Sequence, residues 1–392
     1  MFDPASVKMQ EIIVREGKKD DPKMTVLLEE AVNSYTKTYM AGNQALGRNL
    51  DANAMRNHFY RFPGVDNDKD KTLSAMLRMA VIAQTQERYE KAPVETDEQR
   101  AEKAALEGLV KQLFVELKRD FKPSDLPPYT LVKLGMHLAG TSQPEESIAY
   151  FDEILDPSEP DPVRKKARIN GMSKYRKNAV FGKAVALGRS KDNAKVDTAI
   201  KMMRDELSKE ESSSNPDRKA MGDAQYNLVK FTFARQDWPA VIAAADKYRE
   251  NKTYKKNLPE VLYLQGEAYL KQNELDKALI NFMNITGTYK GLVKWSAPAV
   301  LAQMDTLWKR NTMSQGAGKQ PSDRYVAWKA GSQYVQLLDT PANRKKMTAE
   351  DSALVNEVKD KTAKFGSDPA VSQERADIAA YEAAVRAAKG QK

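Results

Sequence analysis

The chain has 392 residues and a formal net charge of +9, with 41% apolar and 30% charged residues. It contains no cysteine and two histidines, His58 and His137. Disulfides, zinc–thiolate sites, iron–sulfur clusters and thiol catalysis are therefore excluded, and a three-histidine metal site would need a second chain.

No apolar run approaches the ~18 residues of a transmembrane helix. The opening residues, Met1, Phe2, Asp3 and Pro4, lack the basic start and apolar stretch of a secretory signal. The absence of cysteine fits a mature exported, periplasmic chain, and that localisation is expected ahead of a cytoplasmic one.

Helical periodicity dominates from the N-terminus. Residues 24–46 place Met24, Leu27, Leu28, Ala31, Val32, Tyr35, Tyr39 and Met40 on one helical face. Asp21 and Pro22 read as its N-cap and first-turn proline. A second helix is predicted over 72–89 with Leu73, Met76, Leu77, Ala80 and Val81 facing inward, and Thr72 as its cap. A third, over 98–121, buries Leu109, Val110, Leu113, Phe114 and Leu117. The short turn between them ends on a capping threonine, Thr96, so these helices pack as antiparallel neighbours. Downstream, polar breaks rich in Pro, Ser and Gly recur at 122–128, 156–162, 211–216, 257–259 and 312–321, separating further helices. One helix is predicted over 163–188 and another over 194–207.

Charge is regional. Residues 151–350 carry 35 Lys and Arg against 24 Asp and Glu, while the flanking segments are near balance. The sharpest run includes Arg164, Lys165, Lys166, Arg168, Lys174, Arg176, Lys177, Lys183, Arg189 and Lys191, with no acid between Asp161 and Asp192. Such a field attracts anionic partners. Arg164, Lys165, Arg168, Lys174, Arg176, Lys177 and Lys183 form the candidate patch for an acidic protein, an anionic surface or a polymer. Tyr175 and Phe181 interleave with these cations as base stacking would require.

Residues 257–290 carry the most informative spacing. Gly266 is followed at +3 by Tyr269, at +12 by Ala278 and at +16 by Phe282. Gly135, Leu138, Ser147 and Phe151 repeat those offsets, as do Leu228, Phe231, Ala240 and Ala244, and Ala330 with Tyr334 reproduces the second half. Small residues at Gly266 and Ala278 let two helices cross closely, and the aromatic residues fill the groove beside them. This pattern resembles the tetratricopeptide repeat, over about residues 126–340.

The resemblance implies an all-α, right-handed α-solenoid of helix–turn–helix repeats with additional N-terminal helices. The expected divisions are 1–125, an irregular repeat array over 126–347 and capping helices over 348–392, whose last helix presents one polar face. It further implies a protein partner, a peptide or helix, in a concave groove lined by first helices. Asn227, Lys230, Tyr263, Glu267 and Leu270 are the candidate groove residues.

No arrangement supports catalysis. The run from Asp66 to Lys71 starts like a calcium loop, but Lys71 stands where glycine is needed and Leu77 where glutamate is needed. Gly316, Gly318 and Lys319 do not make a phosphate loop, because Met313 and Gln320 occupy its first glycine and its hydroxyl position. His58 sits in an aromatic cluster with Phe59, Tyr60 and Phe62 that packs helices, and His137 follows a repeat glycine on a helix that could line a groove. No cofactor or metal is expected. The expected role is a non-enzymatic scaffold or adaptor, as in assembly of a cell envelope or multi-protein complex. The second reading is a basic helical-repeat binder of nucleic acid.

Overall fold

The computed structural model describes residues 4–17, 24–45, 51–94, 96–251, 253–316, 318–344 and 346–390, and every regular element among them is a helix. Asp21 and Pro22, the expected N-cap pair, lie outside the described residues. By contacts the chain divides into two compact units, Met1–Met202 and Met203–Lys392.

The first unit contains α1 (Pro4–Gly17), α2 (Thr25–Ala45), α3 (Ala52–Tyr60), α4 (Lys71–Lys91), α5 (Asp97–Asp120), α6 (Pro128–Ala139), α7 (Ile148–Leu155), α8 (Pro162–Gly171), α9 (Arg176–Gly188) and the start of α10 (Asn193–Glu211). Helix α1 packs on α2, α3 on α4, α4 on α5 and α6 on α7, while α9 closes on both α6 and α7. One cluster of buried side chains runs from Ile13 on α1 to Ala186 on α9. The core thus continues through residues 125 and 126, where the sequence suggested a division.

Local signals set the helix ends. Thr96 accepts from the Gln99 N–H at 3.2 Å, and the Gln99 side chain accepts from the Thr96 N–H at 3.2 Å, a reciprocal cap. Thr72 does not cap α4. It lies inside the helix, and its hydroxyl donates to the Asp125 carbonyl at 3.2 Å, tying α4 to the loop before α6. The single helix expected over 163–188 is two helices, because Gly171 and Met172 end α8 and a 3₁₀ turn, Ser173–Tyr175, intervenes. The break brings Ala179, Gly182 and Ala186 of α9 into the core.

Helix α6 starts after Pro127, which offers no capping side chain. Glu29 of α2 supplies one from outside, accepting the Tyr129 N–H at 3.1 Å. Its residue is only 4% exposed. Burial pushes the carboxyl up to about 8, outweighing the Tyr129 and Thr130 backbone donors and the nearby Lys174 cation.

The second unit continues from α10 with α11 (Arg218–Ala234), α12 (Trp238–Glu250), α13 (Leu258–Lys271), α14 (Leu275–Thr288), α15 (Val293–Arg310), α16 (Asp323–Leu338), the short α17 (Pro341–Arg344), α18 (Ala349–Gly366) and α19 (Pro369–Gly390). From α11 to α16 each helix packs on the next, and α16 packs on α18. The first helix of each pair also touches the next first helix: α11 meets α13, α13 meets α15, and α15 meets α18. Val355, Val358 and Phe365 of α18 join the core of α15 and α16, and α19 buries Val371 while its outer surface is largely exposed. The long connection before α16 is held at both ends: Arg310 donates to both Asp323 oxygens at 2.8 and 2.6 Å, and the Thr312 N–H donates to Asp323 at 2.7 Å.

One contact recurs. A Cβ added at Gly266 of α13 would lie 2.6 Å from the Phe282 ring of α14, so the ring occupies the space that glycine leaves. A Cβ at Gly135 of α6 would lie 2.8 Å from the Phe151 ring of α7, and one at Gly182 of α9 only 2.2 Å from the same ring. The ring that covers Gly266 therefore belongs to Phe282, where the sequence placed Ala278 opposite the glycine. Ala278 is itself fully buried beside it.

The upstream unit shows a register difference of one residue. The Gln236 N–H bonds to Phe233 and the Asp237 N–H to Thr232, just as Asn273 bonds to Leu270 and Glu274 to Tyr269. Gln236 and Asn273 share a positive φ, 57° and 62°. The two turns therefore superpose at a shift of 37, and Val229, Val241 and Ala245, all fully buried, take the places of Gly266, Ala278 and Phe282. Leu228, Ala240 and Ala244 point one position away, toward α10. Similarly, Gly331 rather than Ala330 sits at the close approach in α16: a Cβ there would lie 2.1 Å from Thr362 Oγ1 and 2.9 Å from the Met304 sulfur.

Two outcomes follow from these contacts. Phe282→Ala leaves a cavity and should cost ~3–5 kcal/mol, and Ala278→Leu should cost ~1–3 kcal/mol through overpacking. Lys271→Ala, at an exposed position, should change stability by less than ~0.5 kcal/mol in urea unfolding. For Glu29, the folded carboxyl holds its proton to higher pH than the unfolded one. Its contribution is complete below about pH 4.5 and declines as pH rises toward 8. Glu29→Gln should remove a few kcal/mol from the pH 5 to pH 8.5 difference in unfolding free energy, and an unchanged difference would contradict this account.

Candidate functional site

In the second unit, the first-helix face is built from α11, α13, α15 and α18. Tyr226 and Lys230 lie one turn apart on α11, and Glu260 opens α13. The Tyr226 hydroxyl donates to Glu260 at 2.6 Å, and Lys230 Nζ lies 3.7 Å from the same carboxylate and 5.3 Å over the Tyr226 ring. Burial and then Glu260 raise the Tyr226 phenol well above its usual range.

Further along α13, the Tyr263 ring lies 5.9 Å from Phe282 and 6.3 Å from Trp295 of α15. Burial, with the neighbouring Glu267 adding, pushes its hydroxyl up to about 12. The Glu267 carboxyl is raised by burial and by Asp305, against the opposing pull of Lys271. Asp305 pairs with Lys361 of α18. The face therefore offers half-buried aromatic rings edged by alternating carboxylates and ammonium groups, a surface able to take both apolar side chains and charges.

The five residues expected to line the groove divide among these surroundings. Lys230 and Glu267 stand on the face. Tyr263 supports it by packing on Phe282. Leu270 is half-buried against the cluster formed by Leu262, Phe282 and Ile285. Asn227 bonds locally, donating to the Asp223 carbonyl at 2.8 Å. Sequence reasoning missed Tyr226 and Glu260. The i, i+4 spacing of Tyr226 and Lys230 signals their shared face, but only the packing of α11 on α13 brings Glu260 to them.

The basic stretch lies in the first unit, and much of its charge is engaged there. Lys165 pairs with Asp156 at 2.7 Å, Lys174 with Glu30 at 2.9 Å and Lys183 with Asp152 at 2.6 Å. Arg168 reaches the buried Glu153 at 3.3 Å and donates to the Ser124 carbonyl at 3.0 Å. Arg176 donates to the Leu155 carbonyl at the C-terminus of α7, at 3.2 Å, and Arg189 reaches Ala139 at the end of α6, where cations are favourable. Arg164 and Lys177 also have partners. These side chains stitch α8 and α9 to their neighbours.

Both histidines are packed against aromatic rings. His58 stacks on Tyr39 at 4.1 Å within a cluster of Tyr35, Phe59 and Phe62, and burial lowers its pKa. His137 stacks on Phe114 of α5 at 4.0 Å, with burial and then Lys111 lowering it. Among the described residues no group of three His, Asp or Glu side chains is placed to share a metal ion, and no helix is long and apolar enough to cross a membrane. The chain matches no protein-family model, no curated protein and no solved structure.

The different roles of neighbouring cations give a direct test. Arg168→Ala leaves Glu153 buried without its cation and should destabilise the protein by ~3 kcal/mol. Lys166→Ala, at an exposed lysine with no ion pair among the described residues, should cost less than ~0.5 kcal/mol. Thermal unfolding in which the two variants behave alike would contradict the structural role given to Arg168.

Proposed function

We propose that this protein is a non-enzymatic, protein-binding scaffold, a right-handed helical-repeat solenoid resembling tetratricopeptide proteins. Its partner, a peptide or a helix, lies along the first-helix face of α11, α13 and α15. The observation that carries this reading is the mutual contact of successive first helices. That contact makes one continuous wall on which Lys230, Glu260, Tyr263 and Glu267 stand together. Aromatic and long charged side chains of this kind dominate the energetics of protein interfaces. Assembly of a cell-envelope or other multi-protein complex is the setting that suits an adaptor of this form. The nucleic-acid reading is disfavoured because the basic stretch spends most of its cations on carboxylates and helix ends of its own unit.

A photo-crosslinking side chain placed at Asn227, Lys230 or Glu267 should give discrete protein adducts in native extract. The same group at Ile280 or Met283, exposed on α14, should give none. Adducts confined to α14, or tight binding of mixed-sequence RNA or DNA that persists at ~150 mM salt, would overturn the reading.

A further inference from the structure

The glycine loop before α16, which the sequence excludes as a phosphate loop, forms one wall of a cleft of about 800 Å³ in the second unit. Sites for small ligands have this size. The other walls are the start of α16 and one face of α19. On α19 the lining residues run at helical spacing from Ala370 to Glu382, so that wall is about 18 Å long.

Two contacts brace α19 against the rest of the cleft. The Ser322 N–H donates to Glu374 at 2.8 Å, and the Ser322 hydroxyl donates to the same carboxylate. Two turns further along α19, the Tyr381 ring covers Gly318, where a Cβ would lie 2.5 Å from it. Gly318 has a φ of 79° and Gly316 one of 105°, so the turn of the loop requires glycine at both positions. Asp377 and Ile378 lie between the two braces on α19.

The free charges are sorted by wall. Lys319 of the loop and Lys329 of α16 line the cleft and have no ion pair among the described residues. On the α19 wall, Asp377 accepts from Gln373 of its own helix at 2.9 Å and pairs with no cation among the described residues. Glu382 reaches Arg386 on the same helix at 3.5 Å. Arg324, a third cation in the lining, is committed to Asn311 and Asp368. Opposite charges therefore share one cleft without meeting across it. Tyr325, Ile378 and Tyr381 give the same cleft an apolar surface. The Tyr325 residue is only 7% exposed, and its hydroxyl has no hydrogen-bond partner among the described residues. It is not one of the polar atoms sealed away from solvent.

We propose that this cleft binds a short free peptide with an aromatic side chain and both termini ionised. Its ammonium group pairs with Asp377 and Glu382. Its carboxylate pairs with Lys319 and Lys329 and accepts from the Tyr325 hydroxyl, and its ring packs on Ile378 and Tyr381. A purely anionic ligand would bring its charge against the α19 carboxylates, and a purely cationic one against the lysines, so a dipolar ligand is the class that suits both walls. A peptide of about three residues, about 10 Å long when extended, fits within the wall formed by α19. This site shares no residue with the first-helix face, and either can fail without the other.

The probe is the tripeptide Ala-Phe-Ala with free termini, titrated into the full chain carrying labelled isoleucine and methionine methyl groups. The Ile378 and Met313 resonances, both from the cleft lining, should shift saturably. Acetylating the N-terminus, amidating the C-terminus or replacing the phenylalanine by alanine should each weaken binding about tenfold. Asp377→Asn should weaken binding of the free peptide and leave that of the acetylated peptide unchanged. Lys329→Gln should weaken binding of the free peptide and leave that of the amide unchanged. Both positions are exposed, and both variants should melt as the parent does. Shifts that do not saturate, or that fall outside the cleft, would overturn the proposal. So would acetylated and amidated peptides that bind as well as the free one, which would assign the cleft to apolar ligands. An amide that binds more weakly beside an acetylated peptide that binds equally well would also overturn it, in favour of simple anions.

Discussion

The seating of a phenylalanine ring on a bare glycine backbone is the constraint around which both units are organised. Phe151 in the first unit and Phe282 in the second each come from the second helix of a pair and cover a glycine sixteen positions earlier. The glycine admits the ring, and the ring fixes how close the two helices come. In the first unit the same ring meets a second glycine, Gly182 of α9, so a single side chain sets three helices. Close packing leaves such a contact little tolerance in either direction. Any side chain on the glycine, or a smaller one in place of the ring, shifts the helices that carry the surface residues.

Where the chain departs from that contact, its surface changes character. The α11–α12 pair has Val229 and Ala245 in place of glycine and phenylalanine, and Tyr248 and Tyr254 complete its core instead. Beside that core, Leu228, Ala240 and Ala244 turn toward α10 and line a shallow recess with Leu207. Electrostatics follows the same division between structure and surface. Arg168, Arg176 and Arg189 tie helix ends together, and Glu29 caps a helix that its own sequence leaves uncapped. Lys230 and Glu260, by contrast, meet on an accessible face.

The helices and the repeat frame were legible in the sequence because both rest on local periodicity. The offsets from Gly266 to Phe282 and from Gly135 to Phe151 were visible, since glycine and phenylalanine are distinctive at fixed spacings, but the sequence set Ala278 rather than the Phe282 ring against Gly266. The α11–α12 register was missed by one residue because alanine occurs at 240, 243, 244 and 245, and composition does not choose among them. The turn does: the positive φ at Gln236 aligns it with Asn273. Thr72 shows the same limit, since a threonine before an apolar run reads as a cap unless Asp125, 53 residues away, claims its hydroxyl. The basic stretch was visible as charge, but its acids lie at Glu30, Asp152, Glu153 and Asp156. Only the folded chain shows that the cations are already paired. Glu260 was not legible as a site residue, because it acquires its meaning from a helix that sequence does not place beside it.

The most direct test of this account is the ring current at the glycines. The α-proton resonances of Gly135, Gly182 and Gly266 should lie well upfield of those of Gly287 and Gly291, around which no heavy atom approaches an added Cβ within 4 Å. Phe282→Leu should return the Gly266 resonances toward the Gly287 values while leaving Gly135 and Gly182 unmoved. Resonances of the three glycines indistinguishable from those of Gly287 and Gly291 would show that the rings do not sit on them, and the helix pairing built on that contact would be wrong.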